Sequence, residues 1–485
     1  MVNWLTRLLA RGATSRHSTK AVRVLRAKYD AAATNEDNRR HWRNADGLSA
    51  NAANSREVRR VLRNRARYEV ANNSYARGIV LTLANDAIGT GPKLQLLTND
   101  SEANQRIEHE FHHWARAINL AEKLRTMRMA RAQDGEAFAI LTSNPRLPTS
   151  IQLDLRLMEA DQVCTPDFNL LSRRAVDGIV FDDAGNPVEY HVLKNHPGEA
   201  LGRSLDFDPI PAANMVHWFR ADRPGQARGI PDIMPALPLF AQLRRFTLAV
   251  LAAAETAADF AGILYTDAPA NGEADAAEPF EPIELEQRAL VTMPGGWKMS
   301  QIEAEQPATT YKEFKQEILN EIARCLNMPF NVAAGNSSGY NYASGRLDHQ
   351  TYYKSIRVEQ AHLETNVLDR ILLAWLDEAA LIPGFLPSDA GPIASWSHQW
   401  FWDGNEHVDP AKEANAQSTR LTNHTTTLAY EYARQGRDWE EALRQRAKEL
   451  SLMKELGLDL AQAGLGSAEK EEEDGEEEVA RAIAA

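Results

Sequence analysis

A chain of 485 residues exceeds one ordinary domain and is long enough to bury two or three segments around sizeable cores. Its 54 Lys and Arg against 67 Asp and Glu leave a formal charge of −13, which excludes a uniformly basic nucleic-acid coat and confines DNA contact to local or non-adhesive surfaces. Two widely separated cysteines, Cys164 and Cys325, exclude a disulfide-stapled scaffold and cysteine-rich metal clusters and point to a reducing compartment.

Residues Met1 to Ala10 lack the apolar run of a signal peptide before Arg11 and Arg16 arrive, and read as a short amphipathic helix. Residues 1–70 hold 16 Lys or Arg against six acids, a local net of +10, and residues 1–55 are set apart as a basic arm. From Arg56 to Ile88 a helix is predicted, with Val58, Leu62, Tyr68, Tyr75, Ile79 and Leu83 as its apolar stripe and arginines on the other face, stopped by Gly89-Thr90-Gly91-Pro92. A second helical pattern runs from Ser101 to about Gln133, after which Asp134-Gly135-Glu136 leads into the strand-like Phe138 to Thr142. Residues from about 150 to 220 read as a β-rich module: Ile151 to Leu155 alternates, and Gly178 to Phe181 and Val188 to Val192 flank a hairpin connection at Asp182 to Pro187.

A helix follows from about Ile233 to Asp259, with Pro235 and Pro238 in its first turns, where a missing N–H costs least. The most apolar stretch, Phe246 to Tyr265, is broken by Glu255 and Asp259, so a soluble chain with no membrane partner is expected. Residues 266–309 carry nine acids against Arg288 and Lys298 and form an acidic excursion. Beyond it, Thr310-x-x-Glu313 reads as a capping box before Phe314, Ile318, Ile322 and Leu326 on one helix face. Pro329 to Gly345, rich in Asn, Ser, Gly and Tyr, reads as a loop. Arg346 to about Leu381 reads as one helix of about 50 Å, with Leu347, Ile356, Leu363, Val367, Leu368, Ile371, Trp375 and Leu376 as its apolar side. Asp409 to about Leu460 reads as two or three helices, and the tail from Ser467, with eight acids, as disordered.

Catalytic signatures are weak. Gly335-Asn336-Ser337-Ser338-Gly339 has the glycines of a phosphate cradle but lacks the Gly-Lys-Ser/Thr ending of a P-loop. His109, Glu110 and His113 match the helical metalloprotease pattern only in part, and a solvated helix face accounts for them better. Cys325 lies beside an apolar helix face and is expected to pack as a small hydrophobe. The expectation is a non-enzymatic chain with no cofactor and no metal. An alternative places the function in the basic arm, as a nucleic-acid-binding or scaffold protein without a channel.

Five segments in order carry a resemblance: Arg65-Ala66-Arg67 with Asn72-Asn73-Ser74-Tyr75-Ala76; Asp134-Gly135-Glu136-Ala137-Phe138; Gly178-Ile179-Val180-Phe181-Asp182 with Gly185-Asn186-Pro187-Val188; Arg223 to Pro231, the most specific; and Ser338 to Arg346. Together, from about Tyr29 to Leu460, the chain resembles the lambda-type portal proteins of tailed bacteriophages. The resemblance implies an α+β portal fold: a basic arm to residue 55, a wing over 56–232, stem helices over 233–259 and 310–328, a clip over 260–309, a tunnel loop over 329–345, a long wing helix and return over 346–408, a helical crown over 409–462 and an acidic tail over 463–485. It implies a homo-oligomeric ring of about twelve subunits at one capsid vertex, assembled in the host cytoplasm, conducting double-stranded DNA during packaging and ejection. Implied partners are the terminase large subunit, head-completion or connector proteins, and major capsid and scaffold proteins.

On this reading the tunnel loop presents Asn331, Asn336, Ser337, Ser338, Tyr340, Asn341 and Tyr342 before Arg346, neutral hydrogen-bonding groups that touch passing phosphates without clamping them. The stem presents Lys312, Lys315, Glu317 and Glu321, and the clip presents Glu273, Asp275, Glu278, Glu281 and Glu284 to terminase and connector proteins.

Overall fold

The computed structural model describes residues 34–165, 175–199, 206–258, 262–266, 297–301, 308–339, 341–387, 392–404 and 410–458. The expected amphipathic N-terminal helix, Tyr340, the five clip acids and the acidic tail lie outside them. The chain divides into two units, residues 1–49 and 50–485. In the first, a 3-10 turn at His41–Asn44 carries an edge-on His41–Trp42 pair with ring centroids 4.5 Å apart.

The second unit opens with one helical turn at Ala50–Ala53 and two helices, α1 (Arg56–Asn72) and α2 (Ser74–Ile88). The single helix expected over 56–88 is thus two. Asn73 leaves helical geometry and its Oδ1 accepts from the N–H groups of Tyr75 and Ala76, capping α2. The expected apolar stripe of α1 is also corrected. Val58 and Tyr68 are 41% and 55% exposed, and the buried face is Arg59, Arg63, Ala66 and Glu69.

Strand β1 (Lys93–Leu96) leads to α3 (Ser101–Ala117) and α4 (Leu120–Asp134), separated by the left-handed Asn119 rather than continuous. The β module comprises β2 (Glu136–Ser143), β3 (Leu153–Met158), β4 (Ala175–Val176), β5 (Ile179–Phe181), β6 (Pro187–Leu193), β7 (Phe207–Pro211) and β8 (Met215–Phe219). Its strands form two antiparallel sheets, β3-β2-β8 and β4-β5-β6-β7. Alternation along β2 makes that strand a wall between two cores: Ala137 and Ala139 join the large cluster with Leu155 and Trp218, whereas Phe138 and Ile140 join a smaller one with Val163, Ile179, Tyr190 and Met215. The Asp182–Pro187 hairpin expectation holds. Asp182 Oδ1 accepts from the N–H groups of Ala184 and Asn186 across the β5–β6 turn.

The remaining helices are α5 (Leu237–Ala258), α6 (Ala308–Arg324), α7 (Phe330–Ala334) and α8 (Tyr342–Leu363), which continues through a π turn at Glu364–Leu368 into α9 (Asp369–Ala379). Between α5 and α6, β9 (Gly262–Thr266) and β10 (Trp297–Gln301) pair antiparallel, so the acidic excursion leaves and returns as a ribbon. Because α6 starts at Ala308, Thr310 lies in its first turn and not at the cap expected for it. Ile318, Ile322 and Leu326 are buried as predicted, whereas Phe314 is 48% exposed. On α8, Ile356 and Leu363 are buried but Leu347 is 65% exposed.

Among the described residues one helical stretch, Met234–Glu255, is long and apolar enough by length and composition to cross a membrane; the stretch Phe246 to Tyr265 runs through residues 259–261, which lie outside those described. Strand β11 (His398–Phe401) closes on β1, and α10 (Pro410–Thr422), α11 (Leu428–Arg434) and α12 (Trp439–Glu455) follow.

Candidate functional site

Two of the sequence segments singled out above, together with the arginines of α1, meet in one buried cluster. Glu136, at the start of β2, is fully buried and accepts from Arg228 Nε at 2.9 Å and Nη2 at 2.7 Å, from the Gly229 N–H at 3.1 Å and from Arg63 Nη2. His217 Nε2 on β8 lies 3.0 Å from its second oxygen. Arg228 also donates to the carbonyls of Val163 and Ala160, and its guanidinium sits over the Phe138 ring at 5.4 Å. Burial pushes the Glu136 carboxyl up, but Arg228, His217 and Arg63 outweigh it and hold the group well below the carboxylate range. Burial holds His217 below its ordinary value, so the imidazole is neutral.

The surrounding arginines complete the joint. Arg67 reaches Asp134 at 2.6 Å and Asp161 at 2.7 Å, and Arg59 pairs with Asp177. The two glycines beside the ion pair are required sterically. A Cβ on Gly229 would stand 2.0 Å from the Gly135 carbonyl oxygen, and Gly135, at φ +90°, would meet the Ile230 backbone at 2.5 Å. Every member is paired, and Glu136, Arg228 and Arg63 at its centre are enclosed, so the cluster is a structural joint between α1, α4, the β module and the segment entering α5. The residue types were visible in the sequence; their convergence was not, since nothing in spacing joins position 136 to position 228.

The stem and loop residues lie elsewhere. Helices α5 and α6 meet through Phe246, whose ring centroid is 4.5 Å from Phe314 and 5.6 Å from Tyr311. Below that contact Leu237, Phe240 and Leu243 of α5 and Ile318, Leu319 and Ile322 of α6 are buried. Lys312, Glu317 and Glu321 are exposed on α6. Lys315 is half-buried, its ammonium 5.1 Å from the Tyr75 ring and 5.6 Å from that of Tyr311. Burial lowers its pKa, yet the Tyr75 and Tyr311 phenols hold it above the ordinary value.

Between α6 and α8 the expected seventeen-residue loop contains α7, and only residues 335–341 lie between α7 and α8. Asn331 sits inside α7, half-buried and 3.0 Å from His349 Nε2, which pins it instead of presenting it on a loop. A Schellman closure ends α7: Asn336 N–H donates to the Asn331 carbonyl, Gly335 N–H to that of Val332, and Gly335 takes the left-handed φ of +62°. Asn336, Ser337 and Ser338 are exposed, with Asn336 Oδ1 accepting from the Ser338 N–H at 2.9 Å and hydroxyl at 2.7 Å. The Asn341 carbonyl accepts from Gly345 N–H as α8 begins at Tyr342, and Arg346 is exposed one turn on. The structure brings Asn336, Ser337 and Ser338 together at one tip and does not join them to the stem residues Lys312, Glu317 or Glu321.

The partial metalloprotease pattern gains no third ligand. His109 and His113 are exposed on α3, and among the described residues the one group spaced for a cation is Glu159, Asp161 and His196, with the Arg67 guanidinium already against both carboxylates. Cys325 is half-buried, and burial pushes its thiol up to about 11, which leaves it an unreactive packing group.

The chain is 25% identical over 455 residues to a probable portal protein of Halomonas phage phiHAP-1, covering 86% of each chain. It is 21% identical over 363 residues to portal protein B of Escherichia phage lambda, covering 67% of this chain and 68% of that one. Among solved structures, the neck of an empty gene transfer agent particle aligns at a TM-score of 0.46 and 16% identity, over 73% of this chain and 87% of that one. The family described as phage portal protein, lambda family, matches residues 36–360, from before α1 to the last turn of α8. The chain belongs to the lambda family of phage portal proteins.

Proposed function

We propose that this portal subunit closes with about eleven copies of itself into a ring at one capsid vertex, and that α5, α6 and the segment 335–341 face the axial hole. The ring conducts double-stranded DNA inward during packaging and outward at ejection, while ATP hydrolysis belongs to a docked terminase. The excursion between β9 and β10, with Glu273, Asp275, Glu278, Glu281 and Glu284, meets terminase first and head-completion or connector proteins later.

The observation that carries this reading is the uncovered stem. Leu248 and Leu251 on α5 and Phe314 on α6 are 56%, 54% and 48% exposed, an apolar face that an isolated chain leaves in water. Lipid is a poor partner for it. Arg244 and Arg245 stand in the middle of the apolar stretch, both exposed, and a bilayer centre charges about 2.5–3.5 kcal/mol for each such cation. A neighbouring subunit covers the leucines and leaves the arginines at a wet edge. Around a ring this contact is heterologous, one face meeting a different face of the next copy. The loop chemistry agrees with transit: Asn336, Ser337 and Ser338 bond passing phosphates singly, without the multiple cationic contacts that make binding tight and salt-dependent.

Negative-stain electron microscopy of the purified chain, with native mass spectrometry on the same sample, tests the reading. Rings of about twelve subunits are expected, with a hole on the order of 20 Å or more, wide enough for B-form duplex. A compact monomer or dimer at high concentration sinks it.

A further inference from the structure

The end of α6, the middle of α8 and the turn after β8 enclose a cleft of about 680 Å³, within the range of small-ligand sites. Cations dominate its wall. Arg128 and Arg131 on α4 are 2% and 4% exposed, Arg220 follows β8, and Arg324 and Lys354 are exposed at the mouth. Two lining carboxylates, Asp232 and Glu359, oppose these five groups, and Asp222 beside the cleft pairs with Arg220 at 2.7 Å, which leaves two positive charges in excess.

Both carboxylates are already engaged by the inner arginines. Asp232 lies 3.0 Å from Arg128 and 3.4 Å from Arg220, and Glu359 lies 3.1 Å from Arg131 Nη1. Arg131 Nε and Nη1 meet Asp232 at 3.8 Å and Glu359 at 3.1 Å as ion-pair contacts without hydrogen-bond geometry, although the residue is almost fully enclosed and its guanidinium packs over Trp218 at 4.9 Å. Burial lowers the Arg131 pKa, Asp232 and Glu359 raise it, and Arg128 and Arg220 lower it again; the group remains below its ordinary value. Arg324 and Lys354 have no ion-pair partner among the described residues.

His362 adds a neutral donor. Its Nδ1 accepts from Trp218 Nε1 at 3.3 Å, and an indole only donates. Burial keeps the imidazole below its ordinary pKa, so its proton resides on Nε2. The wall therefore offers guanidinium, ammonium and imidazole N–H groups from several directions around an excess of positive charge, a donor set that suits the tetrahedral spread of acceptor oxygens on a phosphate group.

We propose that this cleft binds a phosphate-type oxyanion, supplied as a phosphodiester of a nucleic-acid strand or as a free phosphate. Arg324 closes α6 and Lys354 lies in α8, on either side of α7 and residues 335–341. An anion held by both ties the helix before the loop to the helix after it. The site stands on the single chain and does not rest on ring closure.

The test is thermal unfolding of the full chain titrated with sodium phosphate, with ionic strength held constant by sodium chloride. A saturable rise in Tm is expected with phosphate and not with chloride. Lys354→Gln and Arg324→Gln, both at exposed positions, are each expected to weaken apparent phosphate affinity about tenfold, and Lys354→Arg to retain it. Competition by a short single-stranded oligonucleotide at the same ionic strength assigns the anion to a strand; no competition assigns it to free phosphate. A phosphate response no larger than that of chloride, or one unchanged in both Gln variants, overturns the site. Native mass spectrometry of the same samples reads ring closure separately, so the failure of one reading is distinguishable from the failure of the other.

Discussion

Glu136 shows how far one side chain's surroundings decide its worth. It holds Arg228 and Arg63 in a fully enclosed site, so neutralising it strands two buried cations. Glu136→Gln is expected to cost about 3–5 kcal/mol in urea unfolding, the range for breaking a buried ion pair from one side. The pH dependence follows from two depressed groups. Glu136 is held well below its ordinary 4.5 and His217 below its ordinary 6.5, so both bind protons more readily in the unfolded chain. Their contribution is complete above about pH 6.5 and is lost as pH falls through first the histidine and then the carboxylate range. Because Glu136 itself raises the His217 pKa, the comparison belongs in the carboxylate range: below about pH 5 unfolding midpoints should decline more steeply in the wild type than in Glu136→Gln, and parallel declines there contradict the assignment. None of this was legible in residue type alone. Arg59 and Arg63 read as a solvated face because hydrophobic periodicity cannot see a charge whose partner lies tens of residues further along the chain.

At the scale of elements, strong periodicity was readable and short or locally bonded features were not. Ile318 and Ile322 on α6, Leu326 just beyond it, Val367 and Leu368 in the π turn, and Ile371, Trp375 and Leu376 on α9 are buried as their spacing predicts. Helix α7 escaped notice because five residues, Phe330 to Ala334, are fewer than two turns and show no period. The break between α1 and α2 depends on one Asn side chain, which looks the same inside a helix as at its cap. A further joint couples α3 to β1 and α12. Glu108 on α3 accepts from the Leu96 N–H at 2.6 Å, and burial, with Asp438, Glu440 and Glu441 nearby, pushes its carboxyl up to about 7. A raised acid contributes fully below its unfolded value near 4.5, and that contribution fades as pH rises through about 7. Glu108→Gln keeps the acceptor and removes the titration. It is expected to raise Tm by a few degrees at pH 8, after allowance for solvent screening, and to change little at pH 4. A variant equally shifted at both values refutes the electrostatic account.

For the whole molecule, the informative surface is the one a single chain leaves unfinished. The sequence showed an apolar helix from about Ile233 but not which of its faces a second copy covers, because burial against another subunit and burial within the chain leave the same pattern of leucines. Leu251→Asp places a charge where the proposed subunit contact is driest. It is expected to shift native mass spectra from ring to monomer at equal protein concentration while circular dichroism of the chain is preserved, since Leu251 makes little contribution to the chain's own core at 54% exposure. Rings that persist in Leu251→Asp move the interface away from α5.

The steric lock between Gly135 and Gly229 bears on how such a chain can vary. The main chain leaves α4 at Gly135, builds two sheets, and comes back at Gly229 so close to its departure that neither glycine has room for a Cβ, and Ile233 N–H also reaches the Ala132 carbonyl at 3.3 Å. The β module is topologically a bud on the helical frame, with entrance and exit fused. Strands or loops added at its far end leave α4 and α5 where they stand, so a lineage of such proteins is free to reshape the bud against different neighbours while the helical frame keeps its geometry.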